Sequence, residues 1–249
     1  MFKHELSRNE KKLLIYILIF SSLFFILFLS SCSVFEVIGL GKVTSEERQV
    51  LGIESISTGS SINLIIEQTG SESVRIEAAE NIIPDIITDV ANGELQISLN
   101  TAGLNIIRPI NCFVSVKDLN AIKVSSSASV KCDNLKTENL SVEMASSSKG
   151  SLNVDVTNLD LKIASSASLT ISGKANSQTI IVNSSGRLDA FDLISKDCKI
   201  EVNSSGSASI NVSDNLDVKV NSSGIVKYKG DPNVNPDVST GGSLSKVEN

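Results

Sequence analysis

One phrase recurs in this chain: Ile181-Val-Asn-Ser-Ser-Gly186, then Glu201-Val-Asn-Ser-Ser-Gly206, then Lys219-Val-Asn-Ser-Ser-Gly224. A fixed self-similar period marks architectures built by stacking like units. The apolar residue before each Ser-Ser pair is Val124, Met144, Ile163, Val182, Val202 and Val220, at steps of 20, 19, 19, 20 and 18 residues. A seventh, degenerate copy follows at Val238-Ser-Thr-Gly-Gly242. Two places earlier stand Ile122, Val142, Leu161, Ile180, Ile200 and Val218. That alternation has period two, the period of a strand.

The parity continues through the turn. From Val182 it reaches Ser184, Gly186, Leu188 and Ala190, and from Val202 it reaches Ser204, Gly206, Ala208, Ile210 and Val212. The Met144 repeat reads as carrying two extra residues within Ser146–Gly150, an insertion that preserves parity where a slip of one would turn every side chain outward. Each repeat is therefore an apolar strand, a corner that shrinks to Ser and Gly or Ala, and a second strand. Asp133-Asn134, Thr157-Asn158, Gly173–Asn176 and Ser213–Asn215 supply a looser second bend. The expected fold is all-β: a parallel β-helix or β-solenoid with two strands per coil of about 19 residues. Seven coils at about 4.8 Å each make a rod of roughly 34 Å.

The repeats occupy 118–247. Residues 50–117 read as a less regular, β-rich N-terminal part of the same domain, suited to covering the open end of the stack. In it Ile62, Leu64 and Ile66 alternate, Asn92-Gly93 signals a hairpin, and Ile82–Ile87 is ambiguous between strand and a short helical turn. Upstream, Met1–Lys12 is polar and basic, and Leu13–Leu29 is almost wholly apolar. These are the two regions of a secretory signal. Leu29-Ser-Ser-Cys32 follows and resembles a bacterial lipobox, so residues 1–31 are expected to be removed, Cys32 lipidated, and 32–49 left as a tether. Two or three acyl chains hold a protein on a membrane stably. Ser33, rather than Asp, after the lipidated cysteine suggests outer-membrane sorting in a Gram-negative cell.

Losing four basic and two acidic residues from the 22 and 28 leaves 18 against 26, a net charge of −8. That balance argues against nucleic acid as a partner. The single histidine, His4, lies in the leader. The mature chain thus has no imidazole base for a Ser or Cys nucleophile and lacks the commonest zinc ligand. No phosphate loop or calcium loop is present. No metal or cofactor is expected, and no catalytic residue is assigned. Asp189 with Asp192, Asp155 with Asp160, and Asp214 with Asp217 sit at turns or outward positions, where a solvated carboxylate is the default. Aromatic residues for stacking sugars are few: Phe35, Phe113, Phe191 and Tyr228. Cys132 and Cys198 share the inward parity. Cys112 and Cys132, about one coil apart, leave a disulfide open, although stacked parallel strands fit its geometry poorly.

Three outward columns follow from the parity. Lys123, Glu143, Lys162, Ile181, Glu201 and Lys219 alternate in charge and help set coil register. Asn183, Asn203 and Asn221 stack as an amide ladder beside the corner glycines Gly186, Gly206 and Gly224. On the opposite sheet, Ser127, Ser129, Ser166, Ser168, Thr170, Ser172, Ser205, Ser207 and Ser209 form a hydroxyl-rich, nearly uncharged face. It is the candidate surface for a polysaccharide, a surface protein or a second copy of the chain.

The order of these signals resembles a known family. Ile53-Glu-Ser-Ile-Ser57 is followed by Ile62-Asn-Leu-Ile-Ile-Glu-Gln68, Ser73-Val-Arg-Ile-Glu-Ala78 and Asn92-Gly-Glu-Leu-Gln-Ile97. The serial Ser-Ser turns come next, closed by Tyr228-Lys-Gly-Asp-Pro232. Across residues 45–247 this looks like the head GIN domain, a domain of unknown function in Bacteroidetes lipoproteins with a proposed role as an auto-transporter adhesin. The family's turns carry Gly-Ser-Gly; the Ser-Ser-Gly, Ser-Ser-Ser and Ser-Ser-Ala turns here are as small but stiffer. The resemblance implies a pectin-lyase-like β-helix without catalytic residues, and it transfers no functional residue. The expectation is a non-catalytic, lipid-anchored envelope module, an adhesin or surface structural element. A carbohydrate-binding or carbohydrate-degrading β-helix and an envelope interaction scaffold are the alternatives.

Overall fold

The computed structural model describes residues 37–38, 41–100, 105–106 and 108–248; the leader, Cys32 and Phe35 lie outside them. The strands before the regular coils are β1 (Val37–Ile38), β2 (Val43–Arg48), β3 (Ser55–Thr58), β4 (Ile62–Gln68), β5 (Ser73–Ala79), β6 (Ile86–Ala91), β7 (Glu94–Leu99), β8 (Asn105–Ile106), β9 (Ile110–Val116) and β10 (Ala121–Val124). Five long strands form the body: β11 (Ser129–Met144), β12 (Lys149–Ile163), β13 (Ser168–Val182), β14 (Arg187–Val202) and β15 (Ser207–Val220). The stack ends with β16 (Ile225–Lys229), β17 (Asn233–Val238) and β18 (Ser243–Lys246). From β10 to β15 each strand pairs in parallel with the next. This is the parallel β-solenoid that the period implied.

The two expected strands of a coil merge into one bent strand of 14–16 residues. The looser bends survive as places where alternation fails: Thr157 and Asn158, or Lys196 and Asp197, are exposed in succession. Ladder hydrogen bonding continues through them because a bulge can bend a strand without ending its pairing.

The supposed insertion after Met144 does not exist. Ser129 and Ser168 both pair with Lys149, and Val130 and Leu169 both pair with Gly150. The corner of this coil has the same length as its neighbours, and Gly150 simply occupies an inward position held elsewhere by a larger residue. A Cβ there would lie 2.7 Å from Leu169 Cδ1 and 2.8 Å from Met144 Sδ. The long, adaptable Met144 side chain fills that volume.

The first coil begins earlier than the repeat alignment implied. β3 pairs in parallel with β10 and β4 with β11, so Thr58 lies beside Val124 and Asn63 beside Ser129. Thr58-Gly-Ser-Ser-Ile62 is the first corner, 66 residues ahead of Val124. Beneath it β7 pairs in parallel with β3 and β9 with β4. Antiparallel strands then close this end: β6 on β7, β5 on β9, and β2 on β5. The β6–β7 hairpin turns through Asn92 (φ 52°) and Gly93 (φ 78°), and the ambiguous segment contains a single 3₁₀ turn at Ile83–Asp85. Residues 43–48, expected to be tether, form the outermost of these strands. Arg48 in β2 donates to the Ile86 and Ile83 carbonyls at 2.5 and 3.1 Å, tying it to the start of β6. The Glu72 carboxylate accepts the Gly52 and Ile53 N–H groups at 2.9 and 3.1 Å. The bond from Gly52 is the foremost reason its pKa falls below the ordinary value.

Inward residues of all coils join one apolar core. Cys112, Cys132 and Cys198 are free and buried in it, and burial pushes the Cys112 thiol up to about 12. Cys112 pairs with Leu64 and Cys132 with Ile66, so β4 runs between them. Two strand spacings, about 9.6 Å, exceed the roughly 7 Å reach of a disulfide. One polar pair enters this core: Gln178 Nε2 donates to Ser195 Oγ at 2.6 Å, with both residues at most 3 % exposed.

Candidate functional site

Each corner from Ser60-Ser61 to Ser222-Ser223 consists of two successive residues at positive φ. Among the described residues, fourteen of the fifteen non-glycine residues in that region are serines, from Ser60 and Ser61 through Ser222 and Ser223. Left-handed backbone costs a residue with a Cβ roughly 1–2 kcal/mol, so the corners persist because hydrogen bonds over-determine them. Within a coil, Gly186 N–H donates to the Asn183 carbonyl at 2.9 Å. Between coils, Ser185 N–H donates to Ser204 O at 3.2 Å and Ser205 N–H to Ser222 O at 3.1 Å. The same bond links Ser61 to Ser126, Ser127 to Ser146, Ser147 to Ser165 and Ser166 to Ser184.

This geometry corrects one position. Ser184, assigned inward by parity, is exposed like Ser185, because the left-handed pair lifts both away from the core. Gly186, Gly206 and Gly224 do face inward and are needed for closeness, since a Cβ would stand 2.7, 2.9 and 2.7 Å from carbonyls of the preceding coil. The same inward corner holds Ile62, Ala128, Ser148 and Ala167 in the earlier coils, so it narrows along the stack. Beside it Asn203 Nδ2 donates to Asn183 Oδ1 at 2.9 Å and Asn221 Nδ2 to Asn203 Oδ1 at 2.8 Å. A second ladder, which turn composition alone did not reveal, runs from Asn139 through Asn158 to Ser177.

The face that follows each corner is not the nearly uncharged hydroxyl surface expected. Ser129, Lys149, Ser168, Arg187 and Ser207 occupy one column in that order. Lys131, Ser151, Thr170, Asp189 and Ser209 occupy the next. Hydroxyls therefore alternate with charges coil by coil in the first column, and Lys131 and Asp189 interrupt them in the second. Ser127, Ser166 and Ser205 belong to the corner ridge instead, and Ser172 accepts a bond from Asn153. The paired aspartates are all exposed, and Asp155 faces Lys136 at 3.5 Å. Among the described residues no group of three or more His, Cys, Asp or Glu is placed to hold a metal.

The face that precedes each corner carries the charge column. Of the expected neighbouring pairs, Glu201 and Lys219 meet at 3.6 Å. Lys123 turns away from Glu143 and reaches across β3 to Glu94 at 2.8 Å. That bond pulls the Glu94 carboxyl below its ordinary pKa, while Glu94 raises Lys123. The reach crosses β3 because its outward residues there, Ser55 and Ser57, are small. The result is a hollow of about 370 Å³ lined by Glu94, Gln96, Ser57, Lys123, Ser125 and Glu143 among others. A second hollow of about 300 Å³ lies on this face around Ile181, Lys199, Glu201, Asp217, Lys219 and Asp237. Glu94, Gln96 and Ser57 come from outside the repeats, so the repeat period does not point to them. The corner motif at Thr58-Gly-Ser-Ser was the available signal that β3 belongs to the stack.

Comparison with known proteins places this geometry. The family model described as "Putative auto-transporter adhesin, head GIN domain" matches residues 53–232. A protein from Bacteroides fragilis called a "putative adhesin" superposes with a TM-score of 0.79 at 19% identity, covering 83% of this chain and 97% of that one. One so called from Parabacteroides distasonis gives 0.65 at 23% identity, with 85% and 99% covered. Another from the same organism, called a "putative lipid binding protein", gives 0.65 at 21%, with 84% and 98% covered. These likenesses concern the fold. No curated protein matches the chain.

Proposed function

The chain belongs to the head GIN domain family of adhesin-like proteins, and from that premise we propose that it is a non-catalytic adhesive module of the bacterial envelope, held by lipid on Cys32. The observation that carries this reading is the extent of the family match, residues 53–232, which takes in the closing strands other than β2 and nearly all the coils. The leader and the Leu29-Ser-Ser-Cys32 sequence support export and anchoring, and Ser33 supports the outer membrane. A rigid stack standing on a lipidated N-terminus displays long flat faces away from the membrane, which suits contact more than turnover. The carboxylate pairs lie on exposed bends and outward strand positions, an arrangement that supports binding over glycoside hydrolysis, where flanking carboxylates must enclose the scissile bond.

Two measurements test the reading. Metabolic labelling with palmitate is expected to mark the wild-type chain and to spare Cys32→Ser; label on the variant would refute lipidation there. Protease added to intact cells is expected to cleave the coils. Full protection, with cleavage only after the outer membrane is opened, would remove surface adhesion.

A further inference from the structure

Resting on that adhesive reading, we propose that the face preceding the serine corners is a binding trough for a neutral polysaccharide chain. Its first subsite is the Glu94–Lys123 hollow and its second the hollow around Ile181. Both open on the same side of the same sheet. Between Ser57 and Ile181 the outward column passes through Lys123, Glu143 and Lys162, four strand steps in register. At about 4.8 Å per step Ser57 in the first hollow and Ile181 in the second lie roughly 19 Å apart along the solenoid axis, a span that suits an extended chain better than a single small molecule.

The lining decides the chemistry. Glu94, Glu143, Lys123, Gln96 and Ser125 present carboxylates, an ammonium, an amide and a hydroxyl in one open hollow. Each carboxylate accepts several hydroxyl donors, and the ammonium and amide supply the complementary donors. Lys123 already holds Glu94 in place, so the first subsite is pre-organised, which lowers the entropic cost of binding. Carboxylates outnumber ammonium groups in both hollows, by two to one in the first and three to two in the second. Anionic polymers are therefore disfavoured by repulsion. A peptide fits less well, because the first hollow lies over β3, whose two edges are already paired with β10 and β7 and offer no strand to extend. Hydroxyl-rich neutral sugars match what remains. Ile181, the one apolar residue in its charge column, offers an apolar patch to a sugar ring in the second subsite.

The trough also explains why the chain departs from its repeat where it does. β7 is the only source of Glu94 and Gln96, and it comes from the hairpin segment inserted between the first and second corners. A regular coil in its place would present a flat face.

Calorimetric titration of the full chain in detergent, with linear glucose and N-acetylglucosamine oligomers of two and six units, tests this. Hexamers are expected to bind at least about tenfold tighter than dimers, because they engage both hollows. Glu94→Gln and Lys123→Met are expected to weaken both lengths by about tenfold or more, the scale of losing a hydrogen bond to a charged group. Ile181→Asp is expected to weaken the hexamers alone, and Ser207→Arg on the opposite face to leave both unchanged. Absence of oligomer binding, or binding indifferent to the trough variants, overturns the proposal. Beads coated with the chain, tested on gelatin and on neutral glycan, separate the two readings. Attachment to gelatin without any glycan binding removes the trough and keeps the adhesin, whereas attachment to neither removes both.

Discussion

Corner and bend turn the same chain but treat its length in opposite ways. At the corners the ladders pass from coil to coil without a shift, from Ser129 against Lys149 to Ser207 against Ile225. Every register shift in the long strands falls on the bend side: between Cys132 and Leu135, Thr170 and Gly173, Ala190 and Ile194, and Ser195 and Asp197. Coil lengths of 18 to 20 are thus reconciled at bends, where a bulge can absorb a residue. The corner has no such freedom. Two left-handed serines, one bond within the coil and one to the next coil leave a single geometry, and a one-residue change would reverse the faces beyond it.

That contrast can be broken experimentally. The largest effect is expected from deleting Ser185, which should cost more than about 4 kcal/mol or abolish cooperative unfolding in urea. Inserting one glycine after Asp192, in the bend, should cost no more than about 1 kcal/mol. Equal losses would erase the distinction. Next, Gly186→Ala should lose about 1–3 kcal/mol, since its Cβ meets a backbone carbonyl that cannot swing aside. A loss at Gly186 no larger than that of alanine at Gly52, where φ is 76° and a Cβ would meet nothing within 4 Å, would show that closeness does not govern Gly186.

Met144 and Gly150 are expected to couple. Met144→Val and Gly150→Val should each destabilise by void or overlap, and the double variant should recover about 1 kcal/mol or more relative to their sum in thermal melts. Strict additivity would mean that their contact is incidental. Ser148→Ala should stabilise by about 1 kcal/mol, because its hydroxyl is buried without a partner and Ala128 and Ala167 already fill the equivalent place. Smallest of all, Ser184→Gly should gain about 0.5 kcal/mol by relieving left-handed strain, net of the greater freedom of glycine when unfolded. A loss there would mean that the serine hydroxyl contributes to the ridge beyond its backbone.

The body of the fold was legible because its constraint is local and repeated. Val182, Val202 and Val220 face inward for the same reason, and each reading checks the others. Ser184 was misplaced because parity counting assumes extended backbone, which a left-handed pair interrupts. The extra residues assigned to the Met144 repeat came from refusing glycine a core position, when a longer neighbour supplied its volume. The hydroxyl face was overdrawn because Lys149 and Arg187 enter the same columns from alternate coils. The trough's charge column was legible from the repeats, but its first hollow was not, since Glu94 and Lys123 meet across β3 from segments 29 residues apart.

By itself, the sequence determined the period, the inward parity and the corner positions, because strand alternation and tight turns are short-range and recur in every coil. Tertiary structure alone decided which distant segments became neighbours. It set β4 between Cys112 and Cys132, and carried Lys123 to Glu94 instead of Glu143. Such adjacency depends on how inserted strands dock against an existing edge, and no local pattern along the chain encodes that choice.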